Sequence, residues 1–426
     1  MARSWRWPAK SPTAPDRVKI LVYGINYAPE VTGVGRFTGD MAVWLAAHGH
    51  RVCVVTAPPY YPHWRVADGY RGRGWFREAR AEADVYRCPL YVPRQASGAT
   101  RAAHLVSFAM SSLPVALTRA LRMRPDLVFA VEPTIATAPA ALMAARLAGA
   151  RSWLPVQDLE IDAAAGLGLL PRWSADLALG LQRRLFRRFD TVSTISARMA
   201  ERIAAIGVPR ERIEAFPNWI DTQAIRPDVP AADLRAELGI AADAVVALYA
   251  GNMGKKQGLE LIAAAAERMP ADPPVNFVAA GDGAGRADLA AALKRSGADV
   301  LLLDAQPDAR LPALLALADI HLLPQRAEAA DLVMPSKLGG MLASGRPVVA
   351  AAAPSTQIAA AVDGCGLVVP PGDAAAFAAA IARLAGDAEL RRRLGAAARE
   401  AAVRDWERKT VLGRFEAALT ARCRAA

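Results

Sequence analysis

The chain has 426 residues, 53% of them hydrophobic, which supports large buried cores and, at roughly 150 residues per domain, two or three domains. Its four cysteines, Cys53, Cys88, Cys365 and Cys423, lie far apart with no CxxC or Cys/His cluster, so a disulfide scaffold is excluded and no zinc site is signalled. The net charge of +11 and a pI near 9.8 favour a polyanionic partner without choosing among nucleic acid, anionic lipid and phosphate-rich substrates, and an Arg- and Ala-rich composition explains the bulk charge equally well.

Residues 1–17 carry Arg3, Arg6 and Lys10 but also Pro8, Pro12 and Pro15 where a secretory signal needs an apolar stretch, so they read as a disordered basic tail. From Val18 the sequence predicts a buried strand, KILVYGIN, a loop holding Gly33 and Gly35, an amphipathic helix from about Phe37 to Ala47 closed by Gly49, and a second strand, RVCVVTA. Further strands are predicted at Asp126 to Val131, Ser152 to Val156 and Thr191 to Ile195. After Asp221 a stretch containing Pro227 and Pro230 leads into VVALYAG, NFVAAGDG, VLLLDA, ADIHLLP and RPVVAA, with helices between them. The alternation predicts an α/β protein of two doubly wound Rossmann-like domains, 18–225 and 226–405, facing a central cleft at the carboxyl ends of their sheets. A last helix, within 406–426, is expected to pack back toward the first domain. No apolar run reaches the roughly 18 residues that span a bilayer, because Glu132 and its neighbouring prolines interrupt the best one.

Several stretches carry chemistry. GVGRFTG, Gly33 to Gly39, places small residues between strand and helix, where a backbone approaches a ligand or simply turns tightly. A dinucleotide fingerprint is disfavoured, because the second strand ends at Thr56 with no acidic residue to hold a ribose. In PPYYPHW, the residues Tyr60, Tyr61, His63 and Trp64 are candidates for stacking on an acceptor, or for an ordinary packed loop. Asp158, followed by Glu160 and Asp162, sits past an apolar strand, as an acid-base candidate or as part of a solvated helix start. YAGNMGKKQGLE offers glycines at a strand end followed by Lys255 and Lys256, a combination suited to a diphosphate. AAGDGAG repeats the strand-to-glycine pattern with Gly281 and Gly283, and MPSKLGGMLASGRPVVA supplies Ser336 and Lys337 in a helical first turn. Two Arg-bracketed apolar stretches, Thr100 to Arg124 and Leu181 to Asp190, fit either ordinary domain helices or helices lying on an anionic membrane surface.

The order of the Gly-rich loop, STIS, FPNWID, GNMGKKQG, AGDG, LPALLALADIHLLP and PSKLGGMLASGRPVVA resembles glycosyltransferase family 4 from Lys19 to about Arg414. Within it, NYAPEVTGVGRFTGDMAVWLAAHGHRV, PPYYPHW and VQDLEIDAAAGLGLL are most similar to the colanic-acid transferases of bacterial exopolysaccharide assembly. The resemblance implies a GT-B fold and a metal-independent retaining enzyme with no cofactor, in which a nucleotide-diphosphate sugar is the donor and a lipid-linked saccharide the acceptor. By subfamily, the donor points to fucose from GDP-fucose, and the location to the cytoplasmic side of the plasma membrane, peripherally bound. By motif position, Gly251, Asn252 and Lys256 fall in the diphosphate loop, Gly281 and Gly283 beside the base, and Ser336, Lys337 and Leu338 against phosphate or ribose. Lys256 and Asp158 are the catalytic candidates. The chain departs from the family at Asn252, where arginine is usual, at Gln257, where lysine is usual, and at Gly340, the second glutamate position of the EX7E signature. The first falls near Leu332, with Glu328 and Asp331 close by, and Gln157-Asp158 stands where a histidine is frequent. Two alternatives stay open, a GT-B-like sugar-nucleotide epimerase and a non-catalytic membrane assembly partner; nucleic-acid binding is disfavoured by the dispersed basic residues.

Overall fold

The computed structural model describes residues 17–30, 33–94, 98–131, 134–159, 161–162, 172–254, 257–327 and 337–424. Sixteen of the seventeen residues read as a basic tail therefore lie outside the described set. The chain forms two compact units, one of residues up to Pro217 together with Leu412 onward, the other Asn218–Val411.

The first unit holds an eight-stranded sheet of β1 (Lys19–Tyr23), β2 (Arg51–Thr56), β3 (Phe76–Ala79), β4 (Asp84–Arg87), β5 (Leu127–Ala130), β6 (Arg151–Val156), β7 (Thr191–Thr194) and β8 (Ile213–Ala215). Their order is β3-β4-β2-β1-β5-β6-β7-β8, parallel throughout except for β3 on β4. The central strands are nearly continuous apolar runs because helices cover both faces of a parallel sheet. Helices α1 (Gly33–Ala47), α2 (Gly98–Met123), α3 (Thr134–Ala148), α4 (Arg172–Phe186) and α5 (Ala197–Ala205) supply that cover.

Helix α1 starts at Gly33, four residues before the sequence reading placed it. The glycines are part of the helix: a Cβ on Gly35 would lie 2.6 Å from Glu30 Oε2, and one on Gly39 would lie 2.7 Å from the Ala28 Cβ. Their small size lets the segment after β1 pack onto the helix. At the other end Gly49 takes φ +87° and the His50 amide donates to the Leu45 carbonyl at 3.0 Å, the left-handed stop that the sequence predicts.

The second unit holds β9 (Val245–Ala250), β10 (Val275–Ala280), β11 (Val300–Leu303), β12 (Ile320–Leu323), β13 (Val348–Ala351) and β14 (Gly366–Val369) in the order β11-β10-β9-β12-β13-β14, every pair parallel. The order reverses between β9 and β12, which makes the carboxyl ends of these strands the switch point where open α/β sheets take ligands. The helices are α6 (Ala232–Glu237), α7 (Glu260–Ala266), α8 (Arg286–Ser296), α9 (Leu311–Leu317), α10 (Lys337–Ala343), α11 (Gln357–Val362), α12 (Ala374–Gly386) and α13 (Ala388–Asp405). Residues 218–225, placed by sequence at the end of the first domain, belong with this unit. Ile220 exchanges backbone hydrogen bonds with Trp406 and Arg408, and the Arg399 guanidinium donates to the Thr222 and Ile225 carbonyls at 2.8 Å each.

The last helix, α14 (Arg408–Arg424), packs in the first unit from Leu412 onward. Phe415 stacks on Phe216 with centroids 4.1 Å apart and meets Trp153 and Phe129 edge-on at 5.3 and 5.7 Å. Glu416 accepts from Trp44 Nε1 at 2.8 Å and lies 3.2 Å from His50 Nε2. The Val18 amide donates to His50 Nδ1, which leaves the ring proton on Nε2 for that carboxylate.

Candidate functional site

At the switch point of the second sheet the loop after β9 and the loop after β10 interlock backbone to backbone. Gly251 N donates to the Ala280 carbonyl, Met253 N to that of Asp282, and Gly285 N to that of Met253. A Cβ on Gly281 would overlap the Gly251 carbonyl oxygen, and one on Gly283 would lie 2.7 Å from both Met253 O and Asn252 Oδ1. Gly251, Gly281 and Gly283 also take φ of +131°, +153° and +144°, conformations that disfavour any other residue. The glycines singled out by sequence are thus needed first by one loop against the other. The interlock leaves Gly251 and Asn252 on the exposed side.

Lys337, the first residue of α10, reaches across to this loop. Its Nζ donates to Tyr249 Oη at 2.6 Å and lies 4.2 Å from the centroid of that ring. Tyr249 Oη in turn donates to the Asn252 carbonyl at 2.6 Å. Burial pushes the Lys337 pKa down from 10.5 to about 7, because the ammonium is desolvated. Arg326, just past β12, pairs with Glu260 at 2.6 Å on the same side of the sheet. Gly251, Asn252, Gly281, Gly283 and Lys337 therefore come together, whereas Lys255, Lys256 and Ser336 lie outside the described residues, as do Glu328, Asp331 and Leu332.

Two motif positions are core. Leu338 is fully buried in the apolar core, so only its backbone at the start of α10 is left to meet phosphate or ribose. Gly340 is also core: a Cβ there would lie 3.3 Å from Leu315 Cδ1 and 3.8 Å from Ile225 Cδ1, so a carboxylate added at this position would start into apolar packing.

In the first unit Glu30 organises the segment after β1. Its Oε1 accepts the Tyr60 and Tyr61 amides at 3.1 Å each and its Oε2 accepts Asn26 Nδ2 at 2.9 Å. Burial raises its pKa above the ordinary carboxylate value despite these donors. Sequence reasoning passed over Glu30; its signal is the carboxylate in NYAPE, a charged residue between an apolar strand and a glycine pair. Gly33 sits beside the ring of Tyr61, with a Cβ position 3.5 Å from Tyr61 Cε1, while Gly35 is buried against Glu30 and does not present backbone to a ligand. Tyr60 is also buried, packed edge-on to His104 at 4.7 Å and to Trp64 at 5.8 Å, so it is a core residue and not a stacking platform. Trp64 joins that cluster beneath Arg101, leaving Tyr61, 43% exposed, and His63 as the accessible members of the loop.

Asp158 follows β6 at the carboxyl edge of the first sheet and is half-buried. Asp162 accepts Gln182 Nε2 at 2.8 Å, which ties it to α4, and Glu160 lies outside the described residues. The Arg-rich stretch from Leu181 to Asp190 buries Leu185, Phe186 and Phe189 in the core, so its apolar side is already occupied. An exposed apolar crest lies on α2, at Val106, Met110 and Leu121, and α4 exposes Leu177 and Leu181. Among the described residues no helix is long and apolar enough to cross a membrane.

Two doubly wound sheets, the second with glycine loops and a lysine at its switch point, make up an architecture of the GT-B glycosyltransferase type. Comparison with known proteins agrees. Residues 32–219 match the glycosyl transferase 4-like domain and residues 231–401 match the glycosyl transferases group 1 domain. The chain is 41% identical over 409 residues to the putative colanic acid biosynthesis glycosyl transferase WcaI of Escherichia coli K12, covering 93% of this chain and 98% of that one. Its fold is similar to sucrose-phosphate synthase from Thermosynechococcus elongatus, with a TM-score of 0.73, 17% identity and coverage of 96% of this chain and 100% of that one. It is also similar to HepE of Anabaena in complex with UDP-glucose, with a TM-score of 0.69, 19% identity and coverage of 95% and 100%. The chain belongs to glycosyltransferase family 4.

Proposed function

We propose that the chain moves a sugar, with retention of configuration, from a nucleotide-diphosphate donor to a saccharide carried on polyprenyl diphosphate in exopolysaccharide assembly. GDP-fucose is the first donor to test. The observation that carries this reading is the Lys337 ammonium, held over the exposed edge of the Gly251–Asn252 loop at the switch point. A cation there offsets the negative charge that grows on the diphosphate as the sugar leaves, which is where electrostatic help accelerates transfer. Lys256 is proposed to share this role, Lys255 and Ser336 to hold the same phosphates, and Asp158 to assist the acceptor hydroxyl. The name of the Escherichia coli relative supports the exopolysaccharide setting, and the UDP-glucose bound to HepE supports a sugar-nucleotide donor.

A lipid-linked acceptor calls for a membrane-facing surface, and we infer peripheral attachment to the inner face of the plasma membrane. In support, α2 exposes Val106, Met110 and Leu121, with Met110 72% exposed, beside Arg101, Arg122 and Arg124. The test is incubation of the protein with GDP- and UDP-sugars and polyprenyl-diphosphate saccharides, with and without EDTA. Transfer with a retained anomer, unaffected by chelation, is the expected result. Neither transfer nor donor hydrolysis with any pair overturns the proposal, and an isomerised donor in the absence of acceptor points to an epimerase instead.

A further inference from the structure

We propose that Tyr249 is a positioning residue for the donor diphosphate, its hydroxyl locking Lys337 to the Asn252 carbonyl so that lysine and glycine loop meet the ligand as one preformed unit. This rests on the donor-site reading above. Tyr249 is fully buried in β9, where the volume of a phenylalanine would pack as well. Only the hydroxyl distinguishes the two, and it makes both bonds of the chain: it accepts from Lys337 Nζ and donates to Asn252 O, each at 2.6 Å. Burial holds the phenol above its ordinary pKa, so the donated proton stays in place across the physiological range.

The lysine lies along the loop. A Cβ on Gly251 would lie 3.6 Å from its Cδ, Cε and Nζ, ordinary van der Waals contact, so the lysine stem runs directly against the loop, and the φ of +131° is what calls for glycine there. An ammonium has three donors, and with one committed to Tyr249 two remain for phosphate oxygens. Among the described residues no carboxylate is ion-paired with Lys337, and the 2.6 Å bond to Tyr249 fixes the end of its flexible stem. Fixing a long side chain in advance removes an ordering cost from binding.

The test is a double-mutant cycle read by calorimetric titration with GDP and UDP on the wild-type chain, Tyr249→Phe, Lys337→Met and the double variant, with melting temperature as the folding control. Tyr249→Phe is expected to weaken nucleotide binding about tenfold and to have no effect in the Lys337→Met background. Its pH midpoint for binding is expected to move to lower pH, because an ammonium that has lost its acceptor gives up its proton more readily. A merely structural tyrosine would lower the melting temperature and weaken binding equally in both backgrounds. That additive result, or Tyr249→Phe affinity within about twofold of wild type, overturns the inference while leaving the donor reading intact. Failure of the wild-type chain to bind either nucleotide overturns both.

Discussion

Lys337 is a cation placed where burial opposes its charge, and that conflict makes a pair of predictions. Its pKa is depressed from 10.5 to about 7 in the folded chain, so between these values the unfolded state binds more protons and stability rises with pH. Lys337→Met is therefore expected to raise the melting temperature near pH 7 by a few degrees and to weaken nucleoside-diphosphate binding roughly 10- to 100-fold, the range for loss of a charged hydrogen bond. In the wild-type chain, affinity is expected to fall by about tenfold per pH unit above 7, until the raised pKa of the bound state is reached. Calorimetric titration from pH 6 to pH 9 checks this, and a flat profile would count against the lysine. Lys337 was legible in the sequence because it follows a proline and serine at a helix start. The direction of its neighbours was not. Leu338 and Tyr60 sit in motifs that read as ligand-directed, yet both side chains point into cores, and Tyr249 opens YAGNMGKKQGLE, where the glycines and lysines, not the tyrosine, read as the groups that hold a ligand.

At the scale of elements, the proposed donor side of the second unit is two loops whose backbones occupy each other's side-chain space. Gly283→Ala would place a Cβ 2.7 Å from two oxygens at φ +144°, so a loss of about 1–3 kcal/mol is expected, together with lost nucleotide binding. Thermal melts and titration of the same sample check both effects; a tolerated alanine would show that the loops do not need to interlock. Helix α2 makes a different prediction. Met110→Glu leaves the buried face of Phe108, Ser112 and Ala116 untouched, so folding should be unchanged while sedimentation with phosphatidylglycerol vesicles falls several-fold. Equal sedimentation of both proteins would remove this surface from the account. Most elements were readable from apolar runs between glycines. Of the strands that were not, β3, β4 and β8 are short and interrupted by charged residues, FREA, DVYR and IEA, while β14, GLVV at a sheet edge, is a four-residue run too short to separate from its loop.

For the whole molecule, the repeated strand-loop-helix order made two doubly wound units legible without any single motif. The boundary was less so: residues 218–225 look like the end of one domain, but their carbonyls are held by Arg399, almost 180 residues further along, a pairing no local pattern reveals. The return of the chain to the first unit rests on Phe415, buried among Phe129, Trp153 and Phe216. Phe415→Ala is expected to destabilise the first unit by about 3–5 kcal/mol, seen as an earlier melting step, with nucleotide affinity of the second unit unchanged. An unshifted melt would show that the last helix is not part of the first core.

The central claim is that this glycosyltransferase takes its donor at the carboxyl edge of the second sheet. Hydrogen exchange measured with and without the sugar nucleotide that most raises the melting temperature tests it most directly. Protection is predicted in residues 249–258 and 281–285 and around Lys337. Protection confined to the segment after β1 in the first unit, with those loops unchanged, would contradict it.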